Sequence, residues 1–194
     1  PYSMGEELFL QVEQIIPTPE AEEYMIGINE KELESKSTES ELQNRHILRL
    51  EFWKLMLESC KNSNVHLFRN INPGKNHWIS AGSGVSGVPF TFLFMKKSAR
   101  IELGIARSDK DENTFIFDEL HRQKNQIESA FGAELEWAEL EGKKACQVRF
   151  EKEFDGYNKD SWDDMVTFMI DSMLRLEAAL KMPLQEINAA LKLR

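Results

Sequence analysis

Residues 99–150 leave little choice of fold. Residues 99–106 alternate: Ile101, Leu103 and Ile105 point one way, Arg100 and Glu102 the other. That is the pattern of a half-buried antiparallel strand. A helix then starts near Asn113, whose short polar side chain suits an N-cap. Ile116, Leu120, Lys124, Ile127 and Phe131 share one face of it, with Phe117 beside them. Gly132 stands where a helix C-cap takes a left-handed residue. Two alternating runs, 134–140 and 144–152, flank Glu141-Gly142-Lys143, a hairpin signal.

The flanking chain extends this pattern. Residues 7–16 read as a strand, with Leu8, Leu10 and Val12 on one side and Pro17 and Pro19 stopping it. Residues 20–37 are acidic and weakly patterned, a linker or loosely docked arm. Thr38 and Glu41 have capping-box spacing. Behind them Leu42, His46, Leu50, Trp53, Leu57 and Cys60 form one helical stripe. Residues 77–81 make a short strand. Residues 90–95 are apolar on both faces, which predicts a central strand covered twice. A last helix opens at Ser161, and Pro183 breaks or restarts it. The order is α-β-β-β-α-β-β-α. Hairpin connections dominate, which predicts an α+β domain with a mainly antiparallel sheet of about five strands packed with helices. Residues 1–37 form a leading strand and acidic linker; residues 38–194 form the single α+β domain.

Charge and cysteine content exclude several function classes. The formal net charge is −9. Residues 1–45 hold eleven glutamates against Lys31, Lys36 and Arg45, so the acid excess sits in the leading segment and the body is near neutral. A strongly basic nucleic-acid footprint is absent overall. The two cysteines, Cys60 and Cys146, are too few for a disulfide framework or a cysteine-rich zinc site. They read as reduced, buried thiols of a cytoplasmic protein. No apolar run approaches the ~20 residues that span a bilayer. The chain begins with Pro1, so it reads as processed or as a fragment.

The motifs are weak on chemistry. Gly82-x-Gly84-x-x-Gly87 has the dinucleotide spacing, but a strand follows, not the helix N-terminus that a pyrophosphate needs. Asp109-x-Asp111-x-Asn113 begins like a calcium loop, yet Thr114 and Leu120 stand where Gly and Glu belong; helix capping accounts for it. Glu141-x-Lys143 matches half of a metal-dependent nuclease site without a partner acid. The four histidines, His46, His66, His77 and His121, lack metal-ligand spacing. No catalytic residue, metal or cofactor is expected.

Arg100 and Glu102 are the sharper candidates. They are either a cross-strand ion pair or part of a pocket. In the second reading Arg100 binds an anion, Trp78 or Trp137 offers a stacking platform, Lys124 joins them, and the loop at Gly84 contacts phosphate through its backbone.

The chain resembles an uncharacterised prokaryotic family, the domain of unknown function numbered 4268. The resemblance rests on Leu50-Glu51-Phe52-Trp53, His77-Trp78-Ile79-Ser80, Ser83-Gly84 and Ala99-Arg100-Ile101-Glu102-Leu103. It continues through Phe117-Asp118-x-Leu120, Lys124-x-x-Ile127-Glu128, Leu135-Glu136-Trp137 and Lys143-Lys144-Ala145, and covers about residues 40–181. Members often carry this domain behind a restriction-endonuclease-like domain. The resemblance therefore implies association with DNA processing or defence, and makes residues 7–16 the final strand of an upstream unit.

Two functions are expected. The first is a non-catalytic accessory domain of a nuclease-like or defence-associated protein that binds nucleic acid or a nucleotide. The second is a protein-interaction or homodimerisation module built on Met165, Met169, Met173 and the amphipathic tail at 184–191, methionines being adaptable at interfaces. No membrane partner is expected.

Overall fold

The structure, a computed structural model, describes residues 2–4, 7–9, 39–139 and 144–193. Near the start β1 (Tyr2–Met4) pairs antiparallel with β2 (Glu7–Phe9). Residues 10–16 of the expected first strand, and the proposed cap Thr38, lie outside the described residues.

The body is an α+β unit. Helix α1 (Glu39–Lys61) is followed by β3 (Trp78–Gly82), β4 (Pro89–Phe94) and β5 (Ser98–Ile105). Then come α2 (Lys110–Arg122), α3 (Lys124–Phe131), β6 (Glu136–Glu139), β7 (Cys146–Glu153) and α4 (Trp162–Leu191). The five strands β3 to β7 pair antiparallel in the order β3-β4-β5-β7-β6, with β5 in the middle.

Period-two alternation divides the sheet into two faces. Ile79, Phe92, Ile101 and Val148 join one core with Phe52 and Trp53 of α1, Ile116 and Leu120 of α2, Phe131 of α3, and Met169 and Met173 of α4. Each such buried side chain contributes roughly 1.5–3 kcal/mol. Aromatic rings pack within this core: Phe52 stacks on Phe94 with ring centres 4.2 Å apart, and Trp162 meets both edge-on. The opposite face carries Trp78, Ser80, Thr91, Leu93, Arg100, Glu102, Gln147 and Arg149.

Four expectations change. The helix after β5 is two helices, α2 and α3, with Gln123 between them at φ −97°, ψ 11°, so the order is α-β-β-β-α-α-β-β-α. The cap of α2 is Asp109, whose Oδ1 accepts from the Asp111 and Glu112 N–H groups. Asn113 is instead fully buried inside the helix. Strand β5 is not half-buried: every residue but Arg100 is buried. Helix α4 runs unbroken through Pro183. An internal proline costs about 3 kcal/mol, and burial of Leu180, Pro183, Leu184 and Ile187 offsets it.

Other expectations stand. All six residues of β4 are buried. Gly132 caps α3 in the left-handed region at φ 84°, its N–H donating to the Glu128 carbonyl. Among the described residues no helix is long and apolar enough to cross a membrane.

Candidate functional site

The six residues singled out from the sequence fall in three places. Arg100 and Glu102 lie on β5, on the face of the sheet that carries Thr91 and Gln147, with Trp78 on the same face two strands away. Lys124 and Trp137 belong to the helix side. Gly84 lies in the loop between β3 and β4.

Glu102 is fully buried. Its Oε2 accepts from Gln147 Nε2 at 3.3 Å and lies 3.7 Å from an Arg100 guanidinium nitrogen. Its Oε1 has no hydrogen-bond partner among the described residues. Burial pushes this carboxyl up to about 7, against the pull of Arg100 and Arg149. Arg100 Nε donates to Glu151 at 2.8 Å. Arg149 donates to Glu136 and to Gln147. The hydrogen bond from Arg149 holds Glu136 below the usual carboxylate range, and the same bond raises Arg149. Both arginines are thus already matched by carboxylates, and the face is a cross-strand charge network. Beside it the Ser80 and Thr91 hydroxyls pair at 2.8 Å.

On the helix side, Trp137 Nε1 donates to Glu128 Oε1 at 3.0 Å, and the Leu135 N–H donates to the same oxygen. Lys124 Nζ lies 3.8 Å from it. Burial raises the Glu128 carboxyl, but the Leu135 and Trp137 donors with Lys124 and His121 outweigh it, so the group sits below its ordinary value. Trp137 also meets the Phe117 and His121 rings edge-on. Lys124 and Trp137 therefore pin α3 to β6, and the sheet separates them from Arg100.

The acidic run before α2 is structural. Asp109 caps the helix, and Asn113 is a clamp. The Asn113 carbonyl oxygen accepts from the Arg107 N–H, and its amide donates to the Arg107 and Lys144 carbonyls at 2.9 Å. Among the described residues no three His, Cys, Asp or Glu side chains gather as a metal-holding group. Residues 141–143 lie outside the described residues. Cys60 and Cys146 are buried and free, and burial pushes both thiols up to about 11, with Glu139 and Asp118 adding to it at Cys146. Neither is an activated nucleophile.

Two features escape the sequence reading. One is a row of rings on the β7–α4 side. Phe131, Phe150, Phe168 and Phe154 follow one another with centres 5.0, 5.6 and 5.6 Å apart. Phe150, Phe154 and Phe168 are half-buried. Exposed Lys152 places its Nζ 5.1 Å from the Phe154 ring centre and 5.8 Å from that of Phe168. Arg175 lies 4.5 Å over Phe131 and 5.9 Å from Phe150. The backbone carbonyls of Lys96 and Lys97 accept from the Gly156 and Phe154 N–H groups and hold the end of β7 to the β4–β5 turn. The Phe150-x-Lys152-x-Phe154 alternation was the signal that could have revealed the row.

The other is a cleft of about 270 Å³ between the glycine loop and the C-terminal half of α4. In the glycine loop Gly84, which lines the cleft, and Gly87, which packs against Arg107, adopt φ 92° and 72°, open to glycine without strain.

A family profile matches residues 48–184, which run from within α1 through most of α4. No curated protein and no solved structure matches the chain. The matched residues include β3, β4, β5, β6 and β7, and so the chain belongs to the family described as domain of unknown function (DUF4268).

Proposed function

We propose that this domain is a non-catalytic accessory module of a nuclease-like or defence-associated cytoplasmic protein, and that it binds single-stranded nucleic acid. The observation that carries the reading is the ring row Phe150–Phe168–Phe154 with Lys152 over it. Single-strand binders combine aromatic faces, on which bases stack, with cations that follow the backbone. This row replaces the Arg100 face as the contact surface, because Arg100 and Arg149 are engaged by Glu151 and Glu136. Glu153 and Asp155 flank Phe154, so the patch neutralises few phosphates, and the contact is modest and salt-sensitive.

The test is a fluorescence-anisotropy titration of the full chain with labelled single-stranded DNA and RNA at low salt. Binding that weakens about tenfold in Phe154→Ala, the scale of one stacked base, supports the reading. No binding to either strand removes it.

The second reading, association through the C-terminal helix, loses part of its basis. Met165, Met169 and Met173 are fully buried within the chain, and Leu184 and Ile187 nearly so. Met182 and Leu193 are the exposed large apolar side chains of this region.

A further inference from the structure

The cleft beside the glycine loop lies on a different face of α4 from the ring row. Glu177, Lys181, Gln185 and Asn188 line it at spacings of three and four, one side of the helix. Phe90 and Leu184 supply apolar walls, and Ser83 supplies a hydroxyl opposite the helix. At about 270 Å³ the space falls just below the roughly 300–1,000 Å³ of sites for drug-sized ligands.

We propose that this cleft holds one unpaired nucleotide, with its base between the apolar walls and its phosphate at Lys181. The ligand class rests on the nucleic-acid reading above; the site does not share its residues with the ring row. Planar ring faces suit apolar walls, and the Gln185 and Asn188 amides with the Ser83 hydroxyl offer both donors and acceptors, as a base edge requires. Asn188 Nδ2 now contacts the Gly84 carbonyl at 3.4 Å, a long bond that a base edge can replace. A side chain built at Gly84 would meet nothing within 4 Å, so the loop backbone stands open to a ligand. Lys181 is exposed and acts as a point charge for phosphate. Glu177, one turn earlier, is an acceptor for a ribose hydroxyl. The space admits a single base and excludes a duplex.

The experiment titrates the full chain with each nucleoside 5′-monophosphate by calorimetry, and with a labelled single strand with and without an abasic position. At least one monophosphate binds; Lys181→Ala weakens it about tenfold, the scale of one charge-assisted hydrogen bond. Gln185→Trp, a change at an exposed position that fills the cleft mouth, abolishes binding with an unchanged melting temperature. Failure of every monophosphate to bind at millimolar concentration overturns the pocket, as does binding that neither variant alters. If single strands still bind and respond to Phe154→Ala, the pocket alone falls and the proposed function stands. If a monophosphate binds at the cleft and no strand does, the pocket stands as a site for the free nucleotide and the proposed function falls.

Discussion

Gln147 Nε2 donates to Glu102 Oε2 at 3.3 Å in the middle of the sheet, while Glu102 Oε1 has no hydrogen-bond partner among the described residues. A buried carboxylate supported on one oxygen prefers its proton, and desolvation carries it from 4.5 to about 7. The folded state therefore binds this proton more tightly than the unfolded chain does. The stabilisation from Glu102 is complete below about 4.5 and is lost as pH rises to about 7. Each unit of difference is worth about 1.4 kcal/mol, so the effect is on the order of a few kcal/mol. Urea unfolding at intervals from pH 5 to 8 should show wild type losing stability relative to Glu102→Gln as pH rises. A constant difference would contradict the assignment.

Asn113 predicts a large local effect. Removing its amide leaves the Arg107 N–H and the Arg107 and Lys144 carbonyls without this partner. An unsatisfied buried group costs about 1–3 kcal/mol. Asn113→Ala should lose roughly 2–4 kcal/mol in urea unfolding, more than Asp109→Ala, whose lost cap is worth about 1 kcal/mol.

Gly156 is a packing constraint. A Cβ there would sit 2.1 Å from the Met95 carbonyl oxygen, and the Gly156 carbonyl accepts from Trp162 Nε1 at 2.8 Å. Gly156→Ala must move backbone, with a cost of about 2–4 kcal/mol. A melting temperature within a degree or two of wild type would show that the β7–α4 turn yields freely.

These residues also show what the sequence could reveal. Local chemistry was legible: the Gly132 cap, the doubly covered β4 and the hairpin strands all follow from neighbours within a few residues. The cap of α2 was misread because the role of Asn113 depends on Lys144, 31 positions away. The choice between ion pair and pocket for Arg100 and Glu102 stayed open because their partners Glu151 and Gln147 are set by the β5–β7 register, which no local pattern encodes. Lys124 and Trp137 were grouped with Arg100 by type; Trp137 opposes core residue Val148, which puts it through the sheet. Pro183 reads as a stop until the burial around it is known.

The ring row was missed because Phe168 joins Phe150 and Phe154 only when α4 packs on β7. It is also where the account is most directly tested. Anisotropy of a labelled single strand should be measured against wild type and Lys152→Glu over a salt series, with the matching duplex as competitor. The account predicts salt-dependent binding, preference for the single strand, and loss on charge reversal with the fold intact. Equal binding of single strand and duplex, or a Lys152→Glu variant that binds like wild type, would contradict it.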